Sequence, residues 1–203
     1  MPKNKTTALI VAFLALLVPF LAAQTDVRDR DHEPDKVMDI AGVVPGMVIG
    51  EVGAGEGYFT FKLAGRVGER GKVYANDIDS GALRTLMNKA RRDGVVNIET
   101  IVGEVEDPLL PAGALDMVFM VNVFHDLTKP VELLKNLAPS LKPGATVIIL
   151  DRDPIKAAGQ SRHFLPTETI LATVKEAGFE LVRMETFLRY HNLYIIRPTS
   201  ALR

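Results

Sequence analysis

Cysteine is absent from this chain of 203 residues, and its absence removes several kinds of chemistry at once. Without a thiol there is no disulfide, no thiolate-bound metal and no cysteine nucleophile. A lipid-modified export signal is excluded as well, because it requires a cysteine at the cleavage point. The compartment stays undetermined, since proteins on either side of a membrane can lack cysteine.

An excess of charge of either sign is also lacking. The chain has 24 Lys and Arg against 25 Asp and Glu, and without Lys3 and Lys5 it would have 22 basic residues and a net charge of −3. This balance does not indicate a nucleic-acid-binding surface, so no nucleic-acid partner is expected. The length is that of one domain with a single buried core. We expect this domain to act on a small-molecule substrate and to be a monomer or a homodimer.

The histidines lack the spacing of a metal site. The four are scattered, no two lie four residues apart on a shared helix face, and His32 falls in a polar stretch. Because zinc sites usually draw on closely spaced ligands, we expect no bound metal.

The apolar run near the amino terminus is shorter than a membrane span. Two lysines precede the run from Ala8 to Leu21, Pro19 interrupts it, and Ala22 and Ala23 follow it. This layout predicts a signal peptide over residues 1–23, whereas a permanent anchor would need roughly 20 apolar residues. The protein would then be exported, periplasmic or secreted, and would contact a membrane only through an uncleaved leader.

The rest of the chain divides into a linker and one domain. Residues 24–34 are rich in Asp, Arg, Glu and His and predict a hydrated linker. From residue 35 to residue 203, strand-length apolar runs alternate with amphipathic stretches, which predicts an α/β domain with a parallel sheet between two helical layers. The predicted strands are 47–52, 73–77, 98–102, 115–121, 146–151, 179–188 and 193–197. The last two are too close for a crossover helix and must pair as an antiparallel hairpin.

Three glycines at alternate positions connect the first strand to its helix. Residues 51–58 read E-V-G-A-G-E-G-Y, with glycine at 53, 55 and 57. Without Cβ atoms these positions permit a tight turn and leave room for a ligand at the strand end, where open α/β sheets bind ligands. A dinucleotide-binding G-x-G-x-x-G loop would need glycine at position 58, where Tyr58 stands.

This loop resembles the E/D-x-G-x-G-x-G signature of class I (Rossmann-like) S-adenosylmethionine-dependent methyltransferases, and the resemblance covers about residues 34–197. It implies a three-layer sandwich with a seven-stranded, mostly parallel sheet in the order 3-2-1-4-5-7-6 and an antiparallel last strand. It also implies S-adenosyl-L-methionine as cofactor and leaves the methyl acceptor open, as a small molecule or an envelope component. One departure is Ala145, which stands where the family often has a second glycine.

The resemblance assigns the methionine end of the cofactor to the first strand and its loop. Glu51 would hold the cationic end of the cofactor, directly or through water, because a carboxylate attracts an ammonium and a sulfonium. The loop residues assigned to the cofactor are Gly53, Ala54, Gly55 and Gly57.

The nucleoside end is assigned to the next two strands. Asp77, followed by Ile78, would accept hydrogen bonds from the ribose hydroxyls, and Asp79 is better explained as the N-cap of the next helix. Glu104 is the preferred partner for the adenine amino group. Glu106 and Asp107 are close enough in sequence to keep that register open.

The loop after the fourth strand is where chemistry is expected. Residues 122–126 read N-V-F-H-D, and the resemblance places Asn122 beside both the cofactor and the acceptor. His125 is the candidate base, and Asp126 is close enough in sequence to orient its imidazole. A capping or surface role for His125 stays open, because many methyl transfers need no base.

A second loop, residues 151–163, is longer than a plain connection. A polar substrate could be bound there by Asp151, Arg152, Arg162 and His163. A solvated loop of mixed charge explains these residues as well.

Two other functions fit parts of the pattern. An NAD(P)-dependent oxidoreductase would also use an acid like Asp77, but Tyr58 and the terminal hairpin disfavour it. A non-catalytic nucleoside-binding protein is the other alternative, because S-adenosylmethionine is made in the cytoplasm whereas the leader directs the domain outward.

Overall fold

A computed structural model describes residues 27–157, 163–200 and 202 of the chain. The predicted signal peptide, residues 1–23, and the loop residue Arg162 lie outside the described residues. Within the described ranges, no helix is both long enough and apolar enough to cross a membrane.

Seven strands form one sheet in the order β3-β2-β1-β4-β5-β7-β6. The strands are β1 (Val48–Val52), β2 (Lys72–Asp77), β3 (Ile98–Val102), β4 (Leu115–Val121), β5 (Leu141–Arg152), β6 (Phe179–Glu185) and β7 (His191–Pro198). β1 to β5 pair in parallel, while β7 runs antiparallel to both β5 and β6. The predicted strand order and the terminal hairpin are therefore confirmed.

Helices cover both faces of this sheet. They are α1 (Val27–His32), α2 (Pro34–Ala41), α3 (Thr60–Val67), α4 (Ser80–Asp93), α5 (Pro130–Leu137) and α6 (Thr167–Glu176). Side chains from α2, α3 and α4 form one core with the first face, and those from α5 and α6 form a second core with the other. Because successive strand residues point to opposite faces, β5 supplies Ile148 to the first core and Val147 and Ile149 to the second.

The segment expected to be a hydrated linker is partly folded onto the domain. Residues 27–32 form α1, and His32 at its end is buried. The Tyr58 hydroxyl donates to Asp29 Oδ1 at 2.8 Å, and Lys62 Nζ lies 2.8 Å from the same oxygen. Polar composition misled the sequence analysis here because the polar side chains find partners on the domain instead of water.

Element ends differ from the predictions by a few residues. The helix expected from Tyr58 begins at Thr60, and the fifth strand extends back to Leu141. The predicted N-cap is confirmed, because Asp79 Oδ1 accepts hydrogen bonds from the backbone N–H groups of Gly81 and Ala82.

Candidate active site

The three loop glycines all have positive φ, but only one faces open space. A Cβ at Gly53 would collide with Val123, and one at Gly57 would collide with Leu86 and Phe61. At Gly55, where φ is +52°, a Cβ would meet no atom within 4 Å. The prediction that all three glycines leave room for a ligand therefore holds only at Gly55, since the other two permit close packing of the loop.

Glu51 is buried inside β1 with 2% of its surface exposed. The Thr60 hydroxyl donates to Glu51 Oε2 at 2.5 Å. Burial raises the pKa of Glu51 to about 8, a rise that the Thr60 hydrogen bond opposes and the nearby Asp77 charge reinforces. A buried carboxyl group at a strand end gains a partner when a cationic ligand binds beside it.

Asp77 is tied to the glycine loop. Its Oδ2 accepts a hydrogen bond from the backbone N–H of Gly55 at 2.8 Å, and its Oδ1 accepts one from Asp79 at 2.9 Å. The preceding residue, Asn76, accepts from the backbone N–H groups of Gly53 and Ala54 through its carbonyl, at 2.9 Å each. β2 thus positions both the ribose candidate and the loop.

A cavity of about 300 Å³ lies at the carboxyl ends of β1, β2 and β4. Its lining includes Gly53, Asp77, Ile78, Glu104, Val123 and Asp126. A larger groove of about 770 Å³ lies along the outer surface between α2 and α3, lined by charged residues such as Lys36 and Arg66 and away from the glycine loop. We assign the ligand to the smaller cavity because the strand ends and the candidate residues converge there.

The three acidic residues that follow β3 have different surroundings in the structure. Glu104 lines the cavity. Glu106 instead lies 3.7 Å from Lys129, and Asp107 Oδ1 accepts the backbone N–H of Leu109 at 2.8 Å. The geometry favours Glu104 as the acid that can reach a nucleobase.

Asn122 follows β4 in a strained backbone conformation, with φ at +52°. Its side-chain Nδ2 donates to His32 Nε2 at 2.7 Å. Among the described residues, its Oδ1 is buried without a hydrogen-bond partner. Strain and an unpartnered acceptor at a strand end are typical of a position that binds a ligand.

His125 is oriented by Asp151 and not, as predicted, by Asp126. Nδ1 of His125 lies 2.6 Å from Asp151 Oδ1, and the backbone N–H of His125 donates to Asp151 Oδ2 at 2.9 Å. Burial lowers the pKa of His125, but the hydrogen bond and charge of Asp151, helped by Asp126, outweigh it and leave the pKa raised. Asp126 was expected in this role because it is adjacent in sequence, whereas Asp151 arrives from the neighbouring strand β5.

The Nε2 side of the His125 ring lies near Asp126, and the ring packs against His163 and Phe164. Asp126 Oδ2 lies 3.5 Å from His125 Nε2, and its Oδ1 lies 3.2 Å from His163 Nε2. The rings of His125 and His163 are 4.9 Å apart, and Phe164 packs edge-on against His125 at 5.0 Å. The expectation of no bound metal was argued from sequence spacing, which does not reveal that His125, Asp126 and His163 lie together in space.

Comparison with known proteins points in one direction. A family model described as "Methyltransferase domain" matches residues 49–144. The ubiquinone/menaquinone biosynthesis C-methyltransferase UbiE of Vibrio vulnificus is 28% identical, and the match covers 70% of this chain and 68% of that protein. A SAM-dependent methyltransferase from Aquifex aeolicus is 28% identical, with a TM-score of 0.78 over 83% of this chain and 92% of that one. A structure of CalH with SAH shares the fold at a TM-score of 0.63 and 22% identity.

The chain is an S-adenosylmethionine-dependent methyltransferase with a Rossmann-like fold. In this methyltransferase, the groups at the carboxyl ends of β1 and β2 suit that cofactor. Open space at Gly55, an acidic group at Asp77 and the buried carboxyl group of Glu51 surround one strand end.

Two contacts in the site of this methyltransferase join distant segments and were not predicted from the sequence. His32 reaches Asn122 from α1, and Asp151 reaches His125 from β5. Directly after β5, buried Asp153 is held by Asn192, whose Nδ2 donates to Asp153 Oδ2 at 2.6 Å. No local pattern could have identified these pairs, since their partners lie 26 to 90 residues apart in sequence.

Proposed function

We propose that this methyltransferase acts on a small-molecule or envelope acceptor whose reacting atom lies against His125. The observation that carries the proposal is the hydrogen bond of 2.6 Å between His125 Nδ1 and Asp151. It fixes the imidazole so that Nε2 faces Asp126, which itself lines the cofactor cavity. A fixed imidazole beside the cofactor is suited to activating an acceptor.

The cofactor in this proposal occupies the cavity at the strand ends. Asp77 accepts the ribose hydroxyls, Glu104 meets the adenine amino group and Glu51 faces the cationic methionine end. S-adenosylmethionine supplies a methyl carbon made electrophilic by the attached sulfonium. The protein aligns the acceptor in line with that carbon and excludes water, which can provide much of the rate acceleration.

The acceptor is proposed to be a hydroxyl or a carbon acid that must lose a proton before it is methylated. The UbiE relatives are named as C-methyltransferases of ubiquinone and menaquinone biosynthesis, which is consistent with a carbon acceptor. Asn122 Oδ1 is a hydrogen-bond acceptor that can bind a hydroxyl or amine of the molecule to be methylated.

The site of action is proposed to be outside the cytoplasm. Support comes from the amino-terminal layout of two lysines, an apolar run and small residues before Gln24. Cell fractionation with mass measurement of the recovered protein tests this proposal. A mature chain beginning at Gln24 in the extracytoplasmic fraction is expected, and an intact chain confined to the cytosol would contradict export.

The function is tested by binding and turnover on the purified chain. Calorimetry should detect binding of S-adenosylhomocysteine and no binding of NAD. Binding of NAD alone would favour the oxidoreductase. Radiolabelled S-adenosylmethionine is then offered with phenols, quinols and envelope extracts. Transfer by the wild type and its loss in His125→Gln, with cofactor binding retained, is the expected result, while equal transfer by both proteins would remove His125 from the mechanism.

A further inference from the structure

Three potential metal ligands converge at the acceptor side of the cavity. They are a ring nitrogen of His125, a carboxylate oxygen of Asp126 and a ring nitrogen of His163, and these ligand atoms all lie within 4.8 Å of one another. His125 and Asp126 follow β4, whereas His163 comes from the loop after β5. Side chains from two separate loops thus meet at one point.

The distances match those between ligands of one ion. With bonds of about 2.0–2.1 Å to a tetrahedral zinc ion, neighbouring ligand atoms lie about 3.3 Å apart. In the structure, Asp126 Oδ2 lies 3.5 Å from His125 Nε2, and the other carboxylate oxygen, Oδ1, lies 3.2 Å from His163 Nε2. The carboxylate thus lies between the two imidazoles, and one ligand atom from each of the three residues falls within 4.8 Å of the others.

His125 also has the second partner that metal-bound histidines use. Its Nδ1 lies 2.6 Å from buried Asp151, so the neutral ring keeps its proton on Nδ1 and leaves the lone pair of Nε2 on the side of Asp126. Metal-ligating histidines almost always donate their other N–H group to a carboxylate or carbonyl in this way. An ion pair between Asp126 and two histidines does not require that arrangement.

We propose that His125, Asp126 and His163 bind a divalent transition-metal cation of the zinc class. Two imidazoles and one carboxylate suit such ions, and three protein ligands leave a coordination position open to water or substrate. Asp126 and His163 are exposed, with 55% and 66% of their side-chain surface accessible, so an ion held there could be reached from solvent.

This inference rests on the proposed function and specifies how the acceptor is activated. An acceptor oxygen bound to the cation becomes more acidic and releases its proton to solvent. The acceptor then attacks the methyl carbon as the carbon–sulfur bond breaks, and neutral S-adenosylhomocysteine leaves. His125 acts in this scheme as a metal ligand positioned by Asp151.

Metal titration tests the site without turnover. The purified chain, made without a polyhistidine tag and treated with EDTA, is titrated with Zn²⁺ by calorimetry and with Co²⁺ by visible absorption. One ion per chain is expected, with the d–d bands of bound Co²⁺. His163→Ala and Asp126→Asn should weaken binding by at least about tenfold, whereas Asp93→Asn and Arg92→Ala, on the exposed end of α4, should bind like the wild type.

The possible outcomes separate the two proposals. No saturable binding, or equal binding by the wild type and both ligand variants, would mean an adventitious ion only and would overturn the site. Methyl transfer at full rate by EDTA-treated protein would overturn the metal's role and leave the proposed function standing. Saturable binding lost in the variants, without transfer to any acceptor, would support the metal site and count against the proposed function.

Discussion

The side-chain amide of Asn122 donates to His32 across 90 residues of sequence, at 2.7 Å. An amide nitrogen can only donate, so His32 Nε2 accepts and its proton resides on Nδ1, 3.4 Å from the Tyr58 hydroxyl. Burial lowers the pKa of His32, which agrees with a neutral ring. The amino-terminal helix α1 therefore contacts the acceptor side of the site through a neutral histidine.

Two buried histidines, His32 at the end of α1 and His191 at the start of β7, make the stability of the fold sensitive to acid. His191 is fully buried and stacks edge-on against His32 at 4.6 Å. Burial, helped by the charges of nearby groups, lowers the pKa of His191 from 6.5 to about 3. As the pH falls through 6.5, His191 binds a proton in the unfolded chain but not in the folded chain. The contribution of His191 to the free energy of unfolding is therefore full above pH 6.5 and declines toward pH 3.

Urea unfolding at several pH values checks this prediction. The free energy of unfolding of the wild type should fall between pH 6.5 and pH 4, and His191→Gln should have a shallower slope because the glutamine does not titrate. The slope is compared and not the absolute stability, since the substitution alters packing. Identical slopes in the two proteins would show that His191 is not the acid-sensitive group.

Gly55→Val should abolish cofactor binding. The valine side chain would enter the open space beside the strand end and would also be strained at a φ of +52°. Calorimetry with S-adenosylhomocysteine measures the effect, and a loss of at least about tenfold in affinity is expected. Gly94→Val is the matched control, because Gly94 has a φ of +71° and open space but lies at the end of α4. Equal losses in both variants would mean that strain alone is responsible.

Glu51 should release a proton when the cofactor product binds. With a pKa of about 8 it is mostly protonated at pH 7, and a ligand ammonium beside it favours the ionised form. Affinity should therefore rise as the pH increases from about 6 to 8. Calorimetry of S-adenosylhomocysteine binding at pH 7 in buffers of different ionisation enthalpy should show release of up to about one proton. Glu51→Gln should remove that release, and an unchanged value would place Glu51 away from the ligand.

Asp151→Asn should slow methyl transfer while sparing cofactor binding. The asparagine keeps one acceptor oxygen but can no longer hold both the backbone and Nδ1 of His125 as a carboxylate does. The imidazole then loses its fixed orientation, and a drop in kcat on the order of a hundredfold is expected. The measurement is kcat together with the Kd of S-adenosylhomocysteine. A matching rise in that Kd would indicate a general loss of structure instead.

Much of the fold could be predicted because it depends on neighbouring residues. Alternating apolar runs indicate strands, and the short link before His191 excludes a crossover helix. The glycine loop and Asp79 are also recognisable locally, because backbone conformation and capping involve residues only two or three apart. The sequence by itself therefore determined the alternation of strands and helices, the terminal hairpin and the position of the cofactor loop, whereas the strand order was implied by the family resemblance.

Only the tertiary structure decided which side chains meet in the site. Asp151 lies beside His125 because β5 pairs with β4, and His163, which follows β5 in sequence, lies 3.2 Å from Asp126. His32 contacts Asn122 because α1 packs on the domain despite its polar composition. Such contacts follow from the packing of distant segments, whose energy depends on the whole fold and leaves no periodic pattern in the chain.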